Sequence, residues 1–326
     1  NPPPPLGSWN KTIELVPEHI RGGALLLHGL TDSPYSLRRI GRILHAKGFY
    51  VLGLRLPGHG TLPGALTNVR WEDWVAASRI GARHVREQIG SDRPFGIVGY
   101  SNGGALAVKY ALDALVDSDL PSPDRLLLFS PEIGVSALAF AANTHKLLSF
   151  LPYFEKSKWL DIIPEYDPFK YNSFPKNAAQ QAYGITKTLQ RQIDETRAAG
   201  RFADFPPVFT FLSWIDATVD TSATIHRLYE QLQNKGSELV VFDVNRFHQL
   251  EPFIPAANDK PLKQLETRSD LPYRLTLITN MDRNSNRMVQ RTKAPRSGVI
   301  DSTILDVAWP PGVYSLTHVA VQFSPD

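Results

Sequence analysis

A segment of the form G-x-S-x-G, residues 99–103, lies between a short apolar run at 95–98 and a helical pattern at 105–115. A serine at such a strand-to-helix turn is held in a strained backbone conformation with its Oγ exposed, as a nucleophilic hydroxyl requires. Glycine is needed on both sides because a side chain there would collide with the neighbouring strand or helix. The following helix aims its N-terminal N–H groups at the same point, where they can stabilise an oxyanion. Ser101 is therefore the candidate nucleophile.

The segments around this motif predict a parallel sheet that carries helices on both faces. Short apolar runs are followed by loops of Gly, Pro or Asp and then by longer helical patterns, which is typical of α/β architecture. Apolar residues at helical spacing indicate helices between the strands, with Leu37, Ile40 and Leu44 on one face of the first. The predicted strands are Ala24–Leu27, Tyr50–Leu54, Phe95–Val98, Arg125–Phe129, Val208–Leu212, Leu239–Phe242 and, in an irregular region, Leu275–Thr279.

The alternation stops between Gly134 and Pro206, where many aromatic and proline residues separate two predicted strands. Nine aromatic side chains between Phe140 and Phe174 need an apolar partner, so we expect this segment to pack on something. It forms either a small core of its own or a lid over an apolar pocket. The domain prediction is a core made of residues 1–133 and 207–326 with an inserted lid subdomain at 134–206.

Four short segments together resemble the α/β-hydrolase superfamily, in particular its bacterial carboxylesterase, monoacylglycerol lipase and lysophospholipase branch. They are 28–34 (HGLTDSP), 54–60 (LRLPGHG), 71–74 (WEDW) and the 99–103 motif. The resemblance implies an oxyanion hole made of the backbone N–H groups of Leu30 and Asn102. His28 and His59 are expected to hydrogen-bond or pack locally, rather than to act as a base or metal ligand.

A serine nucleophile needs a histidine base, and that histidine needs a carboxylate. In this fold the order along the chain is serine, acid, histidine. Asp216 follows the strand at 208–212 and, with Val219, resembles the D-x-x-V pattern of the superfamily. Asp220 fits better as the N-cap of the next helix, and Glu132 after the strand at 125–129 is a further candidate. Asp216 is the predicted acid.

Two histidines are candidates for the base. His248 follows the strand at 239–242 by a few residues, which is the usual position in the superfamily, but its surroundings carry no other signal. His318 lies in the segment 314–320 (YSLTHVA), which resembles the S-x-S-H-V-A stretch that ends some bacterial relatives. We predict His318, and that preference depends on the resemblance more than on spacing.

The composition excludes several classes. Apolar residues make up 42% and charged residues 21%, as in an ordinary globular chain, and the net charge is only +3, from 35 Lys and Arg against 32 Asp and Glu. No basic cluster predicts a nucleic-acid surface, and no apolar run approaches the roughly 20 residues of a spanning helix. The absence of Cys excludes disulfides and thiolate sites. No metal site is predicted.

The sequence thus predicts a Ser-His-Asp hydrolase of carboxylic esters with apolar acyl groups, acting on a small-molecule or lipid ester without a cofactor. The alternative is a non-catalytic ligand-binding member of the same fold. The chain begins with Asn1 rather than Met, and the compartment is left open between the cytoplasm and export. The natural ester and the oligomeric state are not predicted.

Overall fold

The computed structural model describes residues 10–134, 158–214, 216, 219–233, 236–244, 259–282 and 284–310. Its strands are β1 (Ile13–Leu15), β2 (Gly22–Leu27), β3 (Phe49–Leu54), β4 (Phe95–Tyr100), β5 (Arg125–Phe129), β6 (Trp159–Asp161), β7 (Phe174–Pro175), β8 (Val208–Ser213), β9 (Glu238–Asp243), β10 (Arg274–Asn280), β11 (Arg287–Lys293) and β12 (Ile300–Ala308). Its helices are α1 (Arg38–Ala46), α2 (Trp71–Ile89), α3 (Asn102–Ala114), α4 (Lys176–Ala198) and α5 (Asp259–Thr267). A further helical run comprises Thr221–Ala223, Thr224–Leu228 and Tyr229–Gln231.

Ten of these strands form one sheet in the order β1-β3-β2-β4-β5-β8-β9-β10-β11-β12. The strands from β3 to β10 in that order are parallel, whereas β1 at one edge and β11 and β12 at the other are antiparallel to their neighbours. Parallel strands place their carboxyl ends at one edge of the sheet, so the loops after β2, β4, β5 and β8 converge there.

The period of two in each strand divides the core between the two faces of the sheet. Leu25 and Leu27 on β2 face the larger apolar cluster, which includes residues of α2, α3 and α4. Ala24 and Leu26 face a smaller cluster with Leu37, and α1 covers that face. Both faces of β2 are therefore buried, which is why its sequence is apolar without alternation. No helix within the described ranges is both long and apolar enough to cross a membrane.

The predicted fold class is confirmed: the sheet is mostly parallel, with helices on both faces. Every predicted strand is present, with ends that differ by up to two residues. The sequence reasoning did not find β1, β6, β7, β11 or β12. The reason is visible in β12, where nearly every residue is exposed, so no buried apolar run indicates a strand.

Residues 158–206 of the predicted insertion, called the inserted segment below, contain the β6–β7 hairpin and the long helix α4. The apolar side of α4 joins the larger core cluster through Ile185, Leu189 and Ile193. Its Gln192 donates a hydrogen bond to Asp113 of α3 at 2.8 Å, and Asp113 also accepts from Lys109 and from Arg79 of α2. This buried polar group ties α2, α3 and α4 together.

Candidate active site

Ser101 lies in the turn between β4 and α3 with φ 53° and ψ −116°, in a region that non-glycine residues rarely occupy. Its backbone is held by hydrogen bonds to β5, to α3 and to the segment after β5. Its N–H donates to the Phe129 carbonyl at 3.0 Å, and its carbonyl accepts from Gly104 at 2.8 Å and from Glu132 at 3.1 Å. Such strain persists only where the surroundings enforce it, and it is typical of functional sites.

The glycines of the motif are required by direct contact. A Cβ on Gly103 would lie 2.0 Å from the carbonyl oxygen of Leu27, and a Cβ on Gly99 would lie 2.5 Å from that of Gly103. The start of α3 is therefore in backbone contact with the end of β2. This contact brings Ser101 next to the loop that follows β2.

The residues of the nucleophile turn are largely buried. Ser101 has 4% of its surface exposed, and Asn102 has none. This burial arises because β5 and the end of β2 both pack against the turn. Within the described part of the chain, the amide oxygen and nitrogen of the buried Asn102 side chain have no hydrogen-bond partner, an arrangement that costs folding free energy.

The loop after β2 is oriented by His28, which is fully buried. Its Nε2 accepts from the N–H of Leu56 at 3.2 Å, so its Nδ1 carries the proton and donates to the Gly29 carbonyl at 2.9 Å. Burial lowers the pKa of His28 well below its usual value, which keeps the ring neutral. The expectation that His28 hydrogen-bonds the backbone is confirmed. Because a peptide is planar, fixing the Gly29 carbonyl also fixes the opposite direction of the Leu30 N–H.

His59, buried in the loop after β3, holds the next carbonyl. Its Nε2 lies 2.7 Å from the Leu30 carbonyl and its Nδ1 lies 3.0 Å from that of Pro57. Burial lowers the pKa of His59, although the backbone carbonyls oppose this effect. The neutral ring has one N–H, which the shorter distance assigns to Nε2 and Leu30. The packing role expected for His59 is confirmed by its ring contacts with His28 and Trp74, but its hydrogen-bond partner comes from a different loop.

The three candidate acids differ in their surroundings. Asp216, just after β8, accepts a hydrogen bond from the N–H of Val219 at 3.0 Å. Asp220 accepts from the N–H of Ala223 at 3.0 Å and is the N-cap of the next helical run, as predicted. Burial raises the pKa of Glu132 to about 7.

The pKa of Tyr100, next to the nucleophile, is raised by burial first and then by the charges of Asp32 and Asp216. Both carboxylates thus act electrostatically on the turn.

Asp32 is an acidic residue of the loop after β2 that sequence reasoning did not single out. Burial raises its pKa to about 6, while Lys170 lowers it and Asp167 raises it. With Thr61 and Tyr171 it lines a cavity of about 180 Å³. The feature of the sequence that could have pointed to Asp32 is its position two residues after Leu30, a predicted oxyanion-hole residue.

Neither His318 nor His248 falls within the described residues, so both predictions for the base are untested. Four of the described histidines already have other partners. His28 and His59 bind backbone groups, as above, His84 contacts Tyr50 and Glu14, and His226 contacts Glu230. Among the described residues, no group of three or more His, Asp or Glu side chains is arranged to hold a metal ion.

Comparison with known proteins agrees with this arrangement of sheet and nucleophile turn. The model of the alpha/beta hydrolase family matches residues 24–301. The chain therefore belongs to the alpha/beta hydrolase family.

Individual relatives are distant. A thermostable monoacylglycerol lipase of Bacillus sp. (strain H-257) is 32% identical over 89 residues, which are 27% of this chain and only 34% of the lipase. A carboxylesterase of Bacillus subtilis (strain 168) is 24% identical over 234 residues, 70% of this chain and 87% of that enzyme. A solved structure from work on two metagenome-derived lipolytic enzymes, LipS and LipT, has a TM-score of 0.59 at 19% identity and covers 80% of this chain and 99% of its own. That structure supports the fold alone.

Proposed function

We propose that this protein is a serine hydrolase that cleaves carboxylic esters, with Ser101 as the nucleophile. The observation that carries the proposal is the strained conformation of Ser101 at the carboxyl edge of the sheet, enforced by Gly99 and Gly103. A fold alone does not define chemistry. A strained serine between strand and helix is the part of this fold that performs acyl transfer.

The oxyanion of the tetrahedral intermediate would bind to the N–H groups of Leu30 and Asn102. In support, neither N–H donates a hydrogen bond to another of the described residues. The Gly29 carbonyl is bound by His28, which fixes the direction of the Leu30 N–H in the same planar peptide. The Leu30 carbonyl, in the next peptide, is bound by His59. Donors that are already oriented stabilise developing charge without reorganisation.

Asp216 is the proposed acid. The acid must stay ionised to stabilise an imidazolium. A pKa of about 7 makes Glu132 a poor carboxylate near neutral pH, and Asp220 is occupied as a helix cap. Asp216 follows β8, which is separated from β4 in the sheet only by β5. Its negative charge helps to raise the pKa of Tyr100, next to the nucleophile.

His318 is the proposed base, with His248 as the alternative. The histidine takes the proton of Ser101 as its Oγ attacks the ester carbonyl, and then gives that proton to the departing alkoxide. The acyl-enzyme is hydrolysed by water, which loses a proton to the same histidine. Collapse of the second intermediate releases the acid and returns the proton to Ser101. The chain order of serine, acid and histidine holds for either residue.

The substrate class is proposed to be esters with apolar acyl groups. The names of the two curated relatives, a monoacylglycerol lipase and a carboxylesterase, support this class. In the inserted segment Leu160 is 48% and Ile162 is 56% exposed, and we propose that these side chains contact the acyl group. Each CH₂ that a substrate buries contributes about 0.8 kcal/mol.

Covalent labelling tests the nucleophile. A fluorophosphonate should label Ser101 in the native protein, and Ser101→Ala should abolish both labelling and ester hydrolysis. Labelling at another serine, or ester hydrolysis that survives Ser101→Ala, would refute the assignment. A folded chain that neither reacts nor hydrolyses any ester would favour the non-catalytic ligand-binding alternative.

Paired variants test the acid and the base. His318→Ala should lower kcat by about 10²- to 10⁴-fold, whereas His248→Ala should leave kcat near the wild-type value. The reverse result would assign His248. Likewise, Asp216→Asn should lower kcat strongly and Glu132→Gln should not, with circular dichroism confirming that all four variants are folded.

A chain-length series tests the substrate class. Rates on p-nitrophenyl esters from acetate to laurate are compared between wild type and the double variant Leu160→Ser, Ile162→Ser. We expect the preference to move toward short chains. Val299→Ser is the matched control, since Val299 is 67% exposed in the loop before β12. An unchanged profile would contradict a role of this segment in acyl binding.

A further inference from the structure

We propose that Tyr171, which comes from the inserted segment, is a positioning residue for the oxyanion loop, here defined as residues 29–32. This inference rests on the proposed function. It assigns to the inserted segment a role in transition-state stabilisation that is separate from binding an acyl chain.

The backbone of Tyr171 binds the oxyanion loop directly. Its N–H donates to the carbonyl of Thr31 at 2.7 Å. Three successive carbonyls of the loop are thus bound from three different directions: that of Gly29 by His28, that of Leu30 by His59 and that of Thr31 by Tyr171. A peptide whose carbonyl is held cannot rotate its N–H, so the Leu30 N–H lies within a run of peptides that are all fixed.

The side chain of Tyr171 acts on the loop that holds His59. Its hydroxyl donates to the Gly58 carbonyl at 3.1 Å and accepts from the N–H of Thr61 at 2.9 Å. The ring lies parallel to the imidazole of His59, with an interplanar angle of 11° and centroids 6.3 Å apart. Tyr171 therefore restrains the backbone on both sides of His59, and His59 in turn binds the Leu30 carbonyl.

The surroundings make this contact rigid. Tyr171 is only 8% exposed. Two residues earlier, Phe169 stacks on Tyr35, with ring centroids 3.7 Å apart. The Arg38 guanidinium lies over the Tyr35 ring, 3.7 Å from its centroid. The inserted segment is thus attached both to the oxyanion loop and to the residues that follow it. A group held in this way keeps the donor in place before charge develops, which is what electrostatic preorganisation requires.

The test compares Tyr171→Phe and Tyr171→Ala with Tyr166→Phe and Tyr166→Ala. Tyr166 lies in the same segment but is 76% exposed. The phenylalanine variant at 171 removes the hydroxyl contacts and keeps the ring stack, and the alanine variant removes both. Measured quantities are kcat and KM on p-nitrophenyl butyrate and the inhibition constant of an alkylboronic acid, whose tetrahedral adduct occupies the oxyanion hole. Melting curves by circular dichroism confirm folding.

Loss of a whole oxyanion donor lowers kcat by about 10²- to 10³-fold, so displacement of one should give a smaller loss. We expect kcat to fall about tenfold in Tyr171→Phe and further in Tyr171→Ala, with KM changed less than about twofold. The inhibition constant should rise in proportion to the loss in kcat. The Tyr166 variants should match wild type. If Tyr171→Ala does not fold, Tyr171→Phe carries the test alone.

Two results would overturn the positioning role: a kcat of Tyr171→Phe within twofold of wild type, or a loss confined to KM. Failure of the proposed function looks different. In that case wild type itself hydrolyses no ester and is not labelled at Ser101, whereas the positioning role fails in an enzyme that is active and labelled.

Discussion

Replacing Gly103 by Ala tests whether backbone contact between α3 and β2 sets the geometry of the nucleophile turn. The new Cβ would meet the carbonyl oxygen of Leu27 at 2.0 Å and that of His28 at 2.6 Å. Reaching even the shortest contact that a Cβ tolerates, about 3 Å, requires a shift of roughly 1 Å between the start of α3 and the end of β2. Misplacement by about 1 Å costs catalysis on the order of 10²-fold. Overpacking costs about 1–3 kcal/mol of stability, against about 1 kcal/mol gained from helix propensity.

We therefore expect Gly103→Ala to remain folded, with a modestly lower melting temperature, and to lose about a hundredfold in kcat and in the rate of fluorophosphonate labelling. Gly96→Ala is the matched control, because Gly96 lies in β4 and its Cβ would have only an ordinary contact, 3.5 Å from the Arg125 carbonyl oxygen. The assay is steady-state hydrolysis of one p-nitrophenyl ester together with thermal melting. If Gly103→Ala keeps kcat within threefold of wild type, the contact does not control the turn and the reasoning is wrong.

Three buried polar side chains, none of which is itself proposed to touch the substrate, give further tests. Lys293 donates to the carbonyls of Leu265 at 2.9 Å and Glu266 at 2.7 Å near the end of α5, so Lys293→Met should lower the free energy of unfolding by about 2–3 kcal/mol; an unchanged urea midpoint would contradict this. Burial raises the pKa of Asp113, but hydrogen bonds, first from Lys109 and then from the neighbouring helices, lower it overall. The stabilisation that ionised Asp113 contributes should thus be complete above the unfolded pKa of about 4 and be lost as pH falls through the lower, folded pKa. Over that pH range the melting temperature of Asp113→Asn should decline less steeply than that of wild type; equal slopes would contradict this. Asn102→Leu should raise the free energy of unfolding by about 1 kcal/mol, and with it the urea midpoint, because it removes an amide that has no partner among the described residues; a lower midpoint would mean that the amide does not destabilise the fold.

Local features of the sequence were sufficient for the nucleophile turn and for the parallel strands. Gly99, Ser101 and Gly103 adjoin one strand and one helix, so their pattern reports its own surroundings. Strands buried on both faces, such as β2, are apolar at every position and need no knowledge of their neighbours. The helix cap at Asp220 and the hydrogen bond from His28 to the adjacent Gly29 are local in the same sense.

Contacts between distant segments were decided only by the tertiary structure. β1 and β12 are edge strands, and because an edge strand is stabilised by the ladder of its neighbour, its own sequence carries little apolar signal. Aromatic residues in the inserted segment showed that it must bury a surface, but the sequence did not indicate which one. That the Tyr171 hydroxyl accepts a hydrogen bond from the N–H of Thr61, 110 residues away, depends on how the loops after β2 and β3 meet at the edge of the sheet. Periodicity records which face of an element is buried, whereas the identity of the segment that covers it follows from the packing of the whole chain.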